Sequence, residues 1–307
     1  MSPPDHPTHS AARERQALLA GLSAVLLWSS VATGFKLSLT ELTALQLVLL
    51  GSTISTLIFA IAAALAPATS KAPNTARPGN LITLLKEAAP LALINPLLYY
   101  PVVLAGYDRL PAQIAQPLNY TWAVVLALLA VPLLKQPLSA RLLWGIAVSY
   151  AGAVIVVVGG QRAAWTNLDL QGLFYIALST VLWALYWVLN TRTRSAPLTL
   201  MLASFSLALP PLALVTWWLD GWPPLTATSL GYGLWIGAVE MGITFLLWQR
   251  ALRLTRAAAR IGQLIFLAPF LGLIPIHLVL GEPILWTSVA GLVIIIGGLL
   301  LTRQTTG

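Results

Sequence analysis

Glu240, Thr244 and Trp248 follow one another at four-residue steps inside the run GAVEMGITFLLWQR. On a helix that spacing stacks a carboxylate, a hydroxyl and an indole on one face. In so apolar a run, the acid has three possible roles. It could bind the ammonium of a small ligand, exchange a proton, or act as a structural hydrogen-bonded group. Other apolar stretches carry comparable sets. Asn95 and Tyr99 lie four apart, with Tyr100 adjacent and Pro96 and Pro101 flanking. Gln113, Gln116, Asn119 and Tyr120 share a second face, and Trp183, Trp187 and Asn190 a third. Trp28 is followed by Ser29 and Ser30, and Gln263, Phe270 and His277 recur at seven-residue steps. Together these groups offer ring stacking, an aromatic face for an ammonium, and amides able to hold a carboxylate. That is recognition chemistry for a small, weakly charged, aromatic molecule.

Bond-breaking chemistry is poorly provided for. The chain has no cysteine, so no thiolate nucleophile or cysteine metal site exists. Two of the three histidines, His6 and His9, lie at the N-terminus, and no metalloprotease, phosphate-loop or nucleophile-elbow motif occurs. We therefore expect no catalytic residues, no metal and no cofactor.

The elements that carry these side chains must be membrane spans. Of 307 residues, 58% are hydrophobic and 8% charged; an ordinary soluble domain carries about 25% charged residues. Mean hydropathy is +0.83. Ten segments have the roughly 20 apolar residues a spanning helix needs: 16–35, 42–66, 88–106, 111–132, 139–159, 171–190, 197–219, 229–249, 258–280 and 283–302. The first is read as an uncleaved span and not a signal peptide, because its apolar run continues past any cleavage site. The polar, proline-rich residues 1–12 read as a disordered tail. Glu240 lies about 11 residues into its span, so roughly 16 Å deep at 1.5 Å per residue. A lone charge there is costly unless it is protonated, paired or beside water.

The basic residues give the sidedness. With the N-terminus in the cytoplasm, fourteen of the 17 fall on that side. Only Lys36, Arg109 and Arg162 fall on the other, and none of these three lies inside an expected span. This is a strong positive-inside bias, and it puts both termini in the cytoplasm. It also explains why Arg250, Arg253, Arg256 and Arg260 begin where the eighth apolar run stops. The +8 net charge thus reflects topology and does not call for nucleic acid. The partners expected are a small-molecule substrate and the lipid bilayer. No partner protein is required, and the chain reads as a monomer.

The two halves echo each other. A shift of 146 residues lays Pro137 on Pro283, Gly145 on Gly291, Gly152 on Gly298 and Gln136 on Glu282. A shift of about 155 near the start lays Trp28 on Trp183. The halves run 13–160 and 171–303, with five spans each. Five is odd, so the second half enters from the opposite side, which makes the repeat inverted, with a site where the halves meet near mid-membrane.

Five spans plus five, a tryptophan within the first and sixth, and the [QE]-P step before Gly-rich fifth and tenth spans resemble the drug/metabolite transporter superfamily, in its EamA-type branch. Within it, NPLLYYPVVLAGYDRLPAQIAQPLNYTW and GAVEMGITFLLWQRALR resemble bacterial exporters of aromatic amino acids. The resemblance implies an all-α inner-membrane protein: ten transmembrane helices as a 5+5 inverted repeat around a central cavity, exporting aromatic and related neutral amino acids. Cavity-lining candidates are Trp28, Asn95, Tyr99, Tyr100, Gln116, Asn119, Trp183, Glu240, Trp248 and Gln263, with Glu240 and His277 as candidates for coupling. The competing reading is a proton-coupled exporter of hydrophobic cations that uses Glu240.

Overall fold

In a computed structural model the chain is described over residues 7–66, 81–135, 139–160, 169–255 and 258–302. Every element among these residues is helical. That is the expected outcome for so apolar a backbone, because a helix satisfies its N–H and C=O groups within itself. In chain order the helices are α1 (Pro7–Ser29), α2 (Val31–Ser38), α3 (Ala44–Leu65), α4 (Leu81–Ala92), α5 (Tyr99–Arg109), α6 (Ala112–Asn119), α7 (Trp122–Leu134) and α8 (Ala140–Gly160). They continue as α9 (Leu170–Asn190), α10 (Pro197–Leu219), α11 (Ala227–Trp235), α12 (Ile243–Leu254), α13 (Ala258–Gln263), α14 (Ala268–Leu280) and α15 (Trp286–Thr302).

Several expected spans are built from two pieces. A turn at Ser30 joins α1 to α2, and a π-helical segment, Leu93–Leu98, joins α4 to α5. Tyr120 and Thr121 separate α6 from α7. A π-helical turn, Ile236–Glu240, joins α11 to α12, and a 3₁₀ turn, Leu264–Leu267, joins α13 to α14. Counted across these joints, nine helices among the described residues are long and apolar enough to cross a membrane. The last expected span is shorter, Trp286–Leu301. Pro283 and its neighbours stay outside the helix, as the missing N–H of a proline favours.

Other boundaries also differ from expectation. The third span starts at Leu81, seven residues early. The first runs to Ser38 and takes in Lys36, which lies outside the expected bounds. Its ammonium donates to the Tyr107 and Leu110 carbonyls at 2.9 and 3.3 Å, at the end of α5. The chain is already helical from Pro7, where a disordered tail to residue 12 is expected. Gln136, Pro137, Lys71, Arg77, Arg162, Arg256 and Arg303 lie outside the described residues.

Small residues set the closest approaches. α8 and α15 are antiparallel neighbours: Gly152 lies against Gly291, Ser149 against Ile295, and Gly145 against Gly298. The Ser149 hydroxyl donates to the Ile295 carbonyl at 3.0 Å. This glycine seam is the sort of interface that lets membrane helices pack backbone to backbone. α3 meets the Ile236–Glu240 turn the same way. A Cβ on Gly237 would stand 2.7 Å from the Gly51 carbonyl. The Ser55 hydroxyl lies 2.8 Å from both the Gly51 and Gly237 carbonyls, so it takes up a backbone acceptor that the π turn displaces.

Polar clasps hold the ends of the bundle. At the end carrying Lys36, Glu282 accepts the Ala112 and Gln113 N–H groups at 2.8 and 3.0 Å, capping α6 with a carboxylate. The Gln113 side chain returns the contact, accepting the Ser288 hydroxyl at 3.2 Å. Nearby, Asp169 caps α9 through the Gly172 N–H and pairs with Arg109. These partners, the Gly172 N–H first, hold its carboxyl below the usual carboxylate range. Its stabilisation is therefore present above the unfolded-state pKa and fades as pH falls through the folded one. At the opposite end Glu87 accepts the Arg194 and Ser195 N–H groups at 3.0 and 3.1 Å. Glu282→Gln should keep one of its two acceptors and lose the charge at a helix N-terminus. We expect a loss of about 1 kcal/mol, read as a lower melting temperature of the detergent-solubilised protein.

Candidate functional site

The fold encloses a cavity of about 840 Å³. It begins at Phe35 and Tyr107, whose rings meet edge to face at 5.3 Å near the Lys36 end. It extends to Leu134, Thr191 and Leu252, at the opposite end, where Lys135, Arg192 and Arg253 follow. Its walls come mainly from the jointed spans and α9.

Glu240 is placed by the joint it terminates. The Ile236–Glu240 turn closes with Met241 N–H donating to the Ile236 carbonyl at 3.0 Å. One residue is thereby added to the helical turn. The register shifts, and the expected Glu240–Thr244–Trp248 face does not form. Glu240, Phe245 and Trp248 line the cavity instead. Thr244 is fully buried and turns its hydroxyl back to the Val239 carbonyl. The Glu240 carbonyl accepts the Trp28 indole N–H at 3.4 Å, and its Oε1 accepts the Tyr100 hydroxyl at 3.1 Å. The acid is 8% exposed, and no ion pair to it is found among the described residues.

Aromatic rings make up most of the surrounding wall. Trp183 stacks on Tyr99 at 4.5 Å, and Trp28 meets Phe245 edge to face at 5.6 Å. Trp122 and Trp187 face each other at 6.5 Å with planes only 21° apart, and Trp183 stands at 90° to both. Three indoles thus cluster in one stretch of the wall. Gln116 and Asn119 add amides, and Asn119 donates to the Ser179 hydroxyl at 3.0 Å. Glu240 is the one charged side chain among the described lining residues.

Of the ten lining candidates, Trp28, Tyr99, Gln116, Asn119, Trp183, Glu240 and Trp248 line this cavity. Asn95, Tyr100 and Gln263 do not. Asn95 departs from helical geometry (φ −133°, ψ 111°), is 1% exposed and is not among the lining residues. That break leaves Tyr99 facing inward and Tyr100 behind Glu240. Gln263 is exposed, because the following 3₁₀ turn has 3.0 residues per turn and brings Ile265 and Phe266 to the cavity instead. His277, expected on the same face, is exposed near the end of α14, where Nδ1 lies 3.0 Å from the Glu282 carbonyl. Phe35, Tyr107, Trp122 and Phe245 were not among the candidates. The aromatic character of Trp122 and Phe245 was the signal available for them, but a straight-helix register concealed it.

An aromatic cavity enclosed by jointed membrane helices is transport architecture, and comparison with known families agrees. The model of the EamA-like transporter family matches the sequence twice, over residues 15–158 and again over 170–304. The chain belongs to the EamA-like transporter family. It is therefore a membrane transporter of the drug/metabolite type. No curated protein matches the sequence. A solved crystal structure shares the transporter's fold with a TM-score of 0.61 and 21% identity, over 95% of this chain and 98% of that one. The boundary between the two family matches, 158 to 170, falls between α8 and α9, so each match takes in one half of the helices.

Proposed function

We propose that the transporter exports aromatic and related neutral amino acids across the inner membrane by alternating access through the central cavity. The carrying observation is the wall itself: three clustered indoles, with amides and, among the described residues, a single carboxylate in the same lining. A flat ring gains by stacking there, an ammonium finds Glu240 and aromatic faces, and Gln116 or Asn119 can donate to a carboxylate. No Lys or Arg lines the cavity among the described residues, which disfavours phosphorylated substrates.

Alternating access through an inverted 5+5 repeat of ten spans is part of the proposal. Three features support it. The α8–α15 pairs Gly152–Gly291 and Gly145–Gly298 exchange with each other under the 146-residue shift. Under the same shift the break at Asn95 falls on Met241, the residue that follows the Ile236–Glu240 turn. Tyr99 and Phe245, also 146 apart, each meet the tryptophan of the opposite half, Trp183 and Trp28. The basic-residue bias then assigns the end carrying Lys135, Arg192 and Arg253 to the cytoplasm, together with both termini. The cavity would open inward.

A second reading, export of hydrophobic cations, is favoured by one fact: the sole charged lining residue is an acid. Binding separates the two. Tryptophan should raise the melting temperature of the purified protein, as any ligand of the folded state does. Trp183→Ala should remove the shift. A shift by a lipophilic cation, with none by tryptophan, would replace the first reading by the second.

A further inference from the structure

The cavity is larger than an amino acid needs, and its two parts differ in chemistry. The polar and aromatic groups cluster near Glu240. Toward the Lys135 end an apolar arm leads away from them. α7 contributes Leu126, Ala130 and Leu134 on one side, and the 3₁₀ turn contributes Ile265 and Phe266 on the other. Leu142 of α8 and Leu299 of α15 complete the lining. No charged side chain lines the arm among the described residues.

α7 packs on α8, α9 and α15, whereas α13 packs on α1 and α12. Among the described residues, neither α13 nor the Leu264–Leu267 turn is a close backbone neighbour of α7, although Phe266 of the turn rests on the apolar cluster that holds Val124 and Leu299. Leu267, at the end of the turn, and Leu300 and Leu301, next to Leu299, are exposed, as lipid-facing residues are. A polar solute gains nothing from such a slot. The apolar molecule always present at that depth is an acyl chain.

The rim supplies the other half of an amphiphile's site. Leu134, Leu142, Thr191 and Leu252 line the cavity mouth, and each has a cation beside it in sequence: Lys135, Arg141, Arg192 and Arg253. All four cations are exposed, and none is in an ion pair among the described residues. Arg141 and Arg192 spend one N–H each on a backbone carbonyl, of Leu301 and Leu133, and keep the others. Basic groups at this level attract anionic headgroups.

We propose that an anionic phospholipid occupies this arm, with one acyl chain between α7 and the Leu264–Leu267 turn and its phosphate on the cation rim. The chain would enter from the cytoplasmic leaflet through the gap between α7 and α13. It would share the cavity with substrate and keep the inner mouth apart, so anionic lipid would be a resident ligand of the inward-open state. Identifying it requires no knowledge of the transported molecule.

The test uses the full-length protein in nanodiscs with a trace of phosphatidylglycerol carrying a photoactivatable diazirine in mid-chain, followed by peptide mapping. Label is expected on Leu126–Leu134 and Ile265–Phe266. Ala130→Trp, which fills the arm, should deplete both sites several-fold while outward Trp144 stays labelled. The wild-type map decides the matter even if that variant fails to fold. Replacing Lys135, Arg141 and Arg253 together by Gln should reduce labelling by phosphatidylglycerol, relative to phosphatidylcholine, at least about five-fold, given roughly 1 kcal/mol per basic residue. Label confined to outward positions such as Leu143 and Trp144 would overturn the proposal. So would competition by inorganic phosphate alone, which would assign the rim to a free anion. No flux is measured, so loss of the amino-acid reading would leave this result standing.

Discussion

Glu240→Gln should cut transport of a lipophilic cation by at least about 30-fold, from a loss of about 2 kcal/mol of charge attraction. The amide keeps the size of the side chain and an Oε1 that accepts the Tyr100 hydroxyl, now at 3.1 Å. Only the charge is lost. Two unit charges about 4 Å apart attract by about 4 kcal/mol at an effective dielectric of 20. Half of that survives a cavity open to water. A zwitterionic amino acid is affected differently. Its ammonium loses a partner, but its carboxylate is relieved of a nearby like charge. We expect neutral amino-acid flux to stay within about three-fold, the net effect being under 1 kcal/mol. Glu240→Ala removes the acceptor as well, leaves the buried Tyr100 hydroxyl unpaired, and should lower stability by a further 1 to 3 kcal/mol, about the cost of an orphaned buried group. Parallel flux assays of the two substrates in the two variants check this. An equal, large loss of both fluxes in Glu240→Gln would mean that the carboxylate serves a step common to both, such as proton exchange.

The second large effect lies far from the cavity. Gly152→Leu should destabilise the fold by about 3 kcal/mol or more, the upper range for overpacking. A Cβ at Gly152 would meet the Gly291 carbonyl at 2.6 Å and the Ile295 nitrogen at 2.8 Å. Both are backbone atoms, so relief requires the two helices to part. Parting them also breaks the Ser149–Ile295 hydrogen bond. Gly297→Ala on the partner helix α15 is the control, because nothing lies within 4 Å of its Cβ position. Thermal unfolding followed by size-exclusion chromatography should show a drop on the order of 10 °C for the first, given 2 to 4 °C per kcal/mol in chains of this size, and little change for the second. Equal melting temperatures would remove the glycine seam as the buttress of the fold.

These effects follow from features with unequal visibility in the sequence. The spans were legible because the bilayer imposes length and apolarity on them. The match between Trp28 and Trp183 singled out two lining residues before any geometry was known. The joints were less visible. Nothing in GAVEMGITF announces a π turn, yet that turn replaces Thr244 by Phe245 in the cavity wall. The 3₁₀ turn likewise sends Gln263 outward, and the break at Asn95 separates the roles of Tyr99 and Tyr100. In each case periodicity was extrapolated through a place where it stops. The bond between Tyr100 and Glu240 joins residues 140 apart, and no local pattern encodes such a contact.

The proposed activity is tested most directly with purified protein in liposomes. Uptake of labelled tryptophan, phenylalanine and threonine would be followed beside a lipophilic cation, with and without a pH gradient. We predict tryptophan and phenylalanine flux well above that of empty liposomes, weaker threonine flux, and loss of the aromatic preference in Trp183→Ala. Flux of the cation alone, abolished by Glu240→Gln, would contradict the assignment and make the protein an exporter of hydrophobic cations.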